Sequence, residues 1–219
     1  MKFCQIARAA VGAGGLITSR PPLHQRIAAV VLAAGLSTRM GANKLLADLH
    51  GQPLLSVTIA SAVAAGVDEV IIVTGHQASA VRAAVSNSSP RFVHNADFAQ
   101  GIVTSIKAGI LAVQNFDAAF IMLGDMPLVR PDDLKRMMAA FNVEEGRTII
   151  APVQGRKLGN PVLWGKEHFP SLQALQGDRG GRSLLEAHRT DIVEIAIAHD
   201  GILLDADSPE ALDVIRRSK

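Results

Sequence analysis

The chain has 219 residues, 48% hydrophobic and 19% charged, which is the composition of a globular protein with a sizeable core and excludes general disorder. Lys+Arg 22 against Asp+Glu 20 leaves a net charge of +2, and with 4% aromatics and no Tyr there is neither the field nor the stacking surface that a nucleic-acid partner calls for. The single cysteine, Cys4, forms no internal disulfide, and no apolar run approaches the roughly 20 residues of a membrane helix. A cytoplasmic protein with no membrane partner is expected.

The first 25 residues stand apart. They are basic, with no acid before Asp48, and Ala9 to Ile17 is small and apolar in the manner of a weak signal peptide. Gly12, Gly14 and Gly15 break that run and Pro21-Pro22 follows, so residues 1–25 are read as a flexible extension, or as a start site placed too early, ahead of one domain over residues 26–219.

From Arg26 onward, strand-length apolar runs alternate with helix-length amphipathic stretches. Ile27 to Leu32 and Val70 to Thr74 are continuous apolar runs of the kind found in parallel strands covered on both faces. Between them Leu55, Ile59, Ala62 and Val63 give Leu54 to Ala65 a helical face, closed by Gly66. A short helix over Ser79 to Val85, a strand over Arg91 to His94, a helix over Ser105 to Val113 and a buried strand over Ala118 to Leu123 continue the alternation. Pro131 with Asp132 and Asp133 opens a helix through Phe141, proline in the first turn and acids at the positive dipole end. Strands are expected over Thr148 to Pro152 and Asn160 to Trp164, either side of a turn-rich Gln154 to Gly159. Gly177 to Gly181 reads as a loop, Arg182 to His188 as a short helix, Asp191 to Ile197 as a strand and Pro209 to Arg217 as a terminal helix. The fold class is α/β, three layers around an open, doubly wound, mostly parallel sheet, with a ligand crevice at the carboxyl ends of its strands.

The segment Val30 to Leu46, VVLAAGLSTRMGANKLL, carries the most chemistry. Gly35, Ser37 and Gly41 permit close approach of backbone amides to an anion, and Arg39 and Lys44 can neutralise phosphates. It is neither a P-loop, because Lys44 lies between Asn43 and Leu45, nor a dinucleotide fingerprint, because Gly35 lacks the following glycines. On residue types alone a solvated surface turn remains open. Asp125, just past a buried strand, suits a Mg²⁺ ligand or an Asp that orders the Gly124 to Pro127 turn. Asp207 stands before Ser208-Pro209, where an Asp also starts helices. His76 and His94 at strand ends read as surface hydrogen-bonding residues.

The string LAAGLSTRMGANKLL resembles the LAAGxSxRMGxxK signature of the MobA-like nucleotidyltransferases, and within them that of the molybdenum cofactor cytidylyltransferases. GDMPLV at Gly124 to Val129, GNPVLW ending at Trp164, GDRGGR at Gly177 to Arg182 and DADSPEAL at Asp205 to Leu212 extend the resemblance, in order, over about Ile27 to Arg217. It implies a Rossmann-like nucleotide-diphospho-sugar transferase fold and transfer of CMP from CTP to the phosphate of molybdopterin, releasing pyrophosphate. It also implies Mg²⁺, with Mn²⁺ as an alternative, and a molybdenum hydroxylase as client. Arg39, Lys44 and Asp125 are then the catalytic candidates, and Asp125 with Asp207 the metal ligands. Ala33, Ala34, Gly35, Ser37, Arg39, Gly41, Lys44, Gly75, Gly101 and Ser105 would bind nucleotide; Asn160, Asp178, Arg182 and Ser183 would bind the acceptor. Guanylyl-transferring relatives usually read LAGG where this chain reads LAAG, so the Ala34 methyl favours the smaller cytosine. Gly181 stands where the family commonly has Ala, and a plain glycine turn remains the alternative for Gly177 to Gly181. Two other readings stay open: a same-fold transferase using GTP or a sugar-phosphate acceptor, and a non-catalytic chaperone for the molybdenum cofactor.

Overall fold

The computed structural model describes residues 25–37, 43–85, 90–177 and 180–218; the expected N-terminal extension lies outside them, apart from Gln25. The central strand is β1 (Ile27–Ala33), buried at every position. Its alternate residues feed opposite layers: Ala29, Val31 and Ala33 join one core cluster, Ala28, Val30 and Leu32 the other. A strand whose two faces are both covered has no room for polar side chains, which is why its sequence is a continuous apolar run.

After β1 come a 3₁₀ turn at Lys44–Leu46, a two-stranded hairpin of β2 (Asp48–Leu49) and β3 (Gln52–Pro53), and helix α1 (Leu54–Ala65). Then follow β4 (Glu69–Thr74), α2 (Ala78–Ala84), β5 (Arg91–His94), α3 (Ile102–Ala112), β6 (Ala118–Leu123) and α4 (Pro131–Ala140). The last part of the chain supplies β7 (Ile149–Gln154), β8 (Lys157–Leu158), β9 (Val162–Gly165), α5 (Phe169–Gln173), α6 (Arg182–Ala187), β10 (Ile192–Ala196) and α7 (Pro209–Arg217).

The strands lie in the order β10-β7-β9-β6-β1-β4-β5, with β8 attached to β7, in an eight-stranded sheet. Pairing is parallel from β5 through β4 and β1 to β6 and again between β10 and β7; β9 runs antiparallel to both neighbours and β8 is antiparallel to β7. Helices α1, α2 and α4 pack on one face through Leu55, Ile59, Val81, Leu134 and Met137, while α3 and α5 pack on the other through Val103, Ile106, Ile110, Phe169 and Leu172. This is the expected three-layer, doubly wound architecture. The chain moves from β1 outward to β4 and β5, then returns to the other side of β1 as β6. That reversal opens the crevice between the carboxyl ends of β1 and β6.

Four local readings need correction. The β2–β3 hairpin and α5 were not expected: strands of two residues and a helix of five are too short to show a period. Helix α3 starts at Ile102, not Ser105, because Gly101 at φ 107° ends the preceding turn and caps the helix. The turn-rich segment 154–159 folds back as β8. Among the described residues no helix is long and apolar enough to cross a membrane.

Candidate active site

The crevice holds a pocket of about 420 Å³, within the size range of small-ligand sites. Its floor is the end of β1, where Leu32 gives way to Ala34, Gly35, Leu36 and Ser37. A Cβ at Gly35 would meet nothing within 4 Å, so the pocket reaches the backbone there. The 3₁₀ turn brings in Lys44 and Leu45; Asn43 caps it by accepting the Leu45 N–H at 3.1 Å, and the Lys44 N–H donates to Ser37 Oγ at 3.3 Å.

Asp125 enters from β6. The Gly124 N–H donates to Leu32 carbonyl at 3.0 Å, continuing the β1–β6 ladder past the last strand residue. A Cβ on Gly124 would lie 2.9 Å from that carbonyl, so glycine is required for the close approach that places Asp125 over β1. The Asp125 carbonyl in turn accepts the Ala206 N–H at 3.0 Å, which fixes the segment carrying Asp205 and Asp207 beside it. In that segment Ala206 packs into a small core with Leu49, Leu54, Leu212 and Ile215, while Asp205 and Asp207, one residue either side, line the pocket. Ser208 is the N-cap of α7, accepting the Ala211 N–H at 3.2 Å, so the Asp207 carboxylate does not serve as the helix cap.

The carboxylates of Asp125, Asp205 and Asp207 lie within 4.8 Å of one another, an all-oxygen donor set that suits a hard divalent cation. The Lys44 ammonium forms ion pairs with Asp125 and Asp207. Burial pulls the Lys44 pKa down, but the charge and hydrogen bond of Asp125, then those of Asp207, outweigh it and hold the ammonium above the ordinary lysine range. For Asp205, burial and then the negative charges of Asp207 and Asp125 raise the carboxyl pKa, against the opposing pull of Lys44. Among the described residues, three carboxylates and one ammonium thus meet in this part of the pocket.

The other end of the pocket is largely apolar: Phe98, Ala99, Gly101 and Ile102, with Ser105 as its polar group. Of the expected residues, the structure gathers Ala34, Gly35, Ser37, Lys44, Gly101, Ser105, Asp125 and Asp207 around one cavity. Ala33 and Gly75 are not in its lining; a Cβ on Gly75 would meet Phe98 Cβ at 2.5 Å and Ala34 Cβ at 2.9 Å, so this glycine is demanded by packing behind the pocket wall. Arg39, Gly41 and Asp178 lie outside the described residues. Asn160, Arg182 and Ser183 are also outside the lining. Asn160 donates its N–H to Ile202 carbonyl at 2.9 Å, and Ser183 Oγ donates to Gly180 carbonyl at 3.4 Å. A Cβ on Gly180, at φ 54°, would lie 3.3 Å from Ile102 Cγ2 and 3.9 Å from Ile106 Cδ1 of α3, so Gly180 itself stands beside the pocket's apolar rim. Asp205 was missed at the sequence level, although the alternation in Asp-Ala-Asp was a usable sign that both acids share a side.

Residues 29–192 match the model of the MobA-like NTP transferase domain. The chain is 30% identical over 182 residues to the molybdenum cofactor cytidylyltransferase of Escherichia coli, covering 83% of this chain and 91% of that one. It is 29% identical over 205 residues to the purine catabolism protein PucB of Bacillus subtilis, covering 86% and 95%. Rv0371c of Mycobacterium tuberculosis, 29% identical, superposes with a TM-score of 0.79 over 89% of this chain and 99% of that one; its manganese complex gives 0.75 over 89% and 100%. With its nucleotide-diphospho-sugar transferase fold, the chain belongs to the MobA-like NTP transferase family and is a nucleotidyltransferase.

Proposed function

We propose that the protein transfers CMP from CTP to the terminal phosphate of molybdopterin, giving molybdopterin cytosine dinucleotide and pyrophosphate. The observation that carries the reading is the meeting of Lys44 with Asp125, Asp205 and Asp207 at one end of a pocket whose other end is apolar. A polyphosphate needs cations, which Lys44 and a metal held by the three carboxylates would supply, and a base needs an apolar slot, which the residues after β5 supply. Similarity to the Escherichia coli cytidylyltransferase and the Ala34 side chain in the lining support cytosine. The match to PucB supports a client in purine catabolism, and a molybdenum hydroxylase fits that description. The domain is read as residues 26–219, in the cytoplasm.

In this reading the acceptor phosphate oxygen attacks the α-phosphorus, and the bond to the β-phosphate bridging oxygen breaks. Asp125, Asp205 and Asp207 would hold Mg²⁺, or Mn²⁺, and the existence of a manganese complex of Rv0371c supports a divalent ion. When bound, the ion supplies Lewis-acid neutralisation of phosphate charge. Lys44 exchanges its carboxylate partners for phosphate oxygens and offsets the charge that builds as pyrophosphate departs. Arg39 and Gly41 are assigned to the triphosphate, and Asn160, Asp178, Arg182 and Ser183 to the acceptor. Gly180 against α3 supports an acceptor entering over the rim near Ile102.

Thermal unfolding with each nucleoside triphosphate and Mg²⁺ tests the reading, since a ligand of the folded state raises the midpoint by linkage. CTP should give the largest rise; a larger one with GTP would favour the same-fold guanylyl alternative, and none with any nucleotide would favour the chaperone alternative.

A further inference from the structure

The one polar group at the apolar end of the pocket is oriented from behind. Asn95 follows β5 and is 5% exposed, with its backbone N–H on Thr74 carbonyl at 2.8 Å. Its side-chain oxygen accepts the Asp97 N–H at 3.0 Å, which settles the direction of the amide, because a backbone N–H requires an acceptor. The amide nitrogen therefore donates, to Thr104 Oγ1 at 2.8 Å and to Ser105 Oγ at 3.0 Å. Thr104 passes its own proton to the carbonyl of Asp97 or Gly101. Ser105 differs: it is 4% exposed, lines the pocket, receives the Asn95 hydrogen bond, and its O–H meets no acceptor among the described residues.

A hydroxyl that already accepts from Asn95 turns its proton toward the cavity, and a buried donor without a partner is costly until a ligand supplies an acceptor. The strand order decides which part of the ligand that is. The acidic group sits past β6, whereas Phe98 and Gly101 come from the connection after β5, three places away in the strand order, and Ser105 lies in the first turns of the α3 helix that follows. With the triphosphate at the acids, the base reaches Ser105. We propose that Asn95 is a positioning residue that makes Ser105 a fixed hydrogen-bond donor toward the acceptor edge of the base, O2 or N3 of cytosine. Base preference is then set by a residue that touches no ligand. The proposal rests on the cytidine nucleotide reading above and adds to it the polarity of the base contact.

Binding of CTP, 2-thio-CTP and 3-deaza-CTP to the full chain with Mg²⁺ tests it, the analogues weakening the O2 and N3 acceptors in turn. One analogue should bind the unmodified protein roughly three- to tenfold more weakly than CTP, the worth of one neutral hydrogen bond. Asn95→Asp keeps the acceptor for Asp97 N–H but draws the Ser105 proton away from the pocket, so CTP should weaken by the same factor and the discrimination should vanish. Ser105→Ala should do likewise, and the double variant should be no worse than Ser105→Ala alone. Asn95→Ser, which buries no charge, should reproduce the pattern if Asn95→Asp does not fold. Equal binding of all three ligands by the unmodified protein, or Asn95 variants that weaken all three alike while keeping the discrimination, would overturn the proposal. An unmodified protein that prefers GTP or binds no nucleotide overturns the reading beneath it, a result distinct from either.

Discussion

The Lys44 ammonium lies between the carboxylates of Asp125 and Asp207, which the chain brings together from residues 163 apart in sequence for the Lys44–Asp207 pair. A cation bound by the carboxylates and a phosphate bound by the lysine each compete with this arrangement. Nucleotide and divalent metal should therefore assist one another's binding, each releasing the partner the other needs.

The two sides of that contact predict different losses. Lys44→Ala should weaken CTP binding and lower kcat/KM by about 10²- to 10³-fold, because the charge acts on the ground state and more strongly on the transition state. It should also tighten Mn²⁺ binding without nucleotide, since the competing ammonium is gone. Asp125→Asn should leave metal-free CTP binding equal or tighter and reduce metal-dependent turnover by more than about 10²-fold. Calorimetric titration of both variants with and without metal separates the cases; Asp125→Asn at near-normal turnover would return Asp125 to a turn-ordering role.

How much of this was legible in the sequence depended on length scale. β1, β4 and β6 were plain because a doubly covered strand must be apolar throughout, Asp125 because it follows β6 closely, and Lys44 because it belongs to the glycine-containing loop after β1. Asp205 needed the hydrogen bond that ties Ala206 to Asp125, and Asn95 needed burial, neither of which an isolated residue type reveals. The family resemblance implied a nucleotide-binding role for Gly75, yet what the structure shows demanding a glycine there is the Phe98 ring 2.7 Å from where its Cβ would stand.

Gly109 shows a helix glycine kept by packing. A Cβ there would lie 2.3 Å from Val30 Cγ1 and 3.1 Å from Val73 Cγ2, both fully buried side chains. Gly109→Ala should destabilise by about 1–3 kcal/mol through overpacking, although an exposed helix would gain about 1 kcal/mol from the same change. Denaturant midpoints compared with the unmodified protein check the sign.

His199 donates from Nε2 to both Asp133 oxygens, at 3.0 and 3.2 Å, while its Nδ1 accepts the Gly201 N–H at 3.1 Å. Asp133 is 5% exposed and also accepts the Arg130 N–H at the start of α4. His199→Ala should cost about 1–3 kcal/mol by leaving that carboxylate short of a donor. Because the segment leads directly to Asp205 and Asp207, the variant should raise the metal concentration needed for half-maximal turnover more than it raises the KM for CTP.

His168 gives stability a pH dependence. Burial lowers its pKa from 6.5; Glu167 opposes this and His188 adds to it, with Asp191 opposing again. The unfolded chain then binds more protons as pH falls, so this contribution is complete above pH 6.5 and is lost as pH drops through 6.5 toward the lower folded value. Urea midpoints at pH 7.5 and 5.5 should differ less in His168→Gln than in the unmodified protein, and an unchanged difference would contradict the assignment.

Initial rates of pyrophosphate formation from molybdopterin with CTP, GTP, UTP or ATP and Mg²⁺ test the central claim directly. CTP should support turnover with kcat/KM at least about tenfold above GTP, roughly 1.4 kcal/mol in transition-state binding. A preference for GTP, or no pyrophosphate from any nucleotide, would contradict the account.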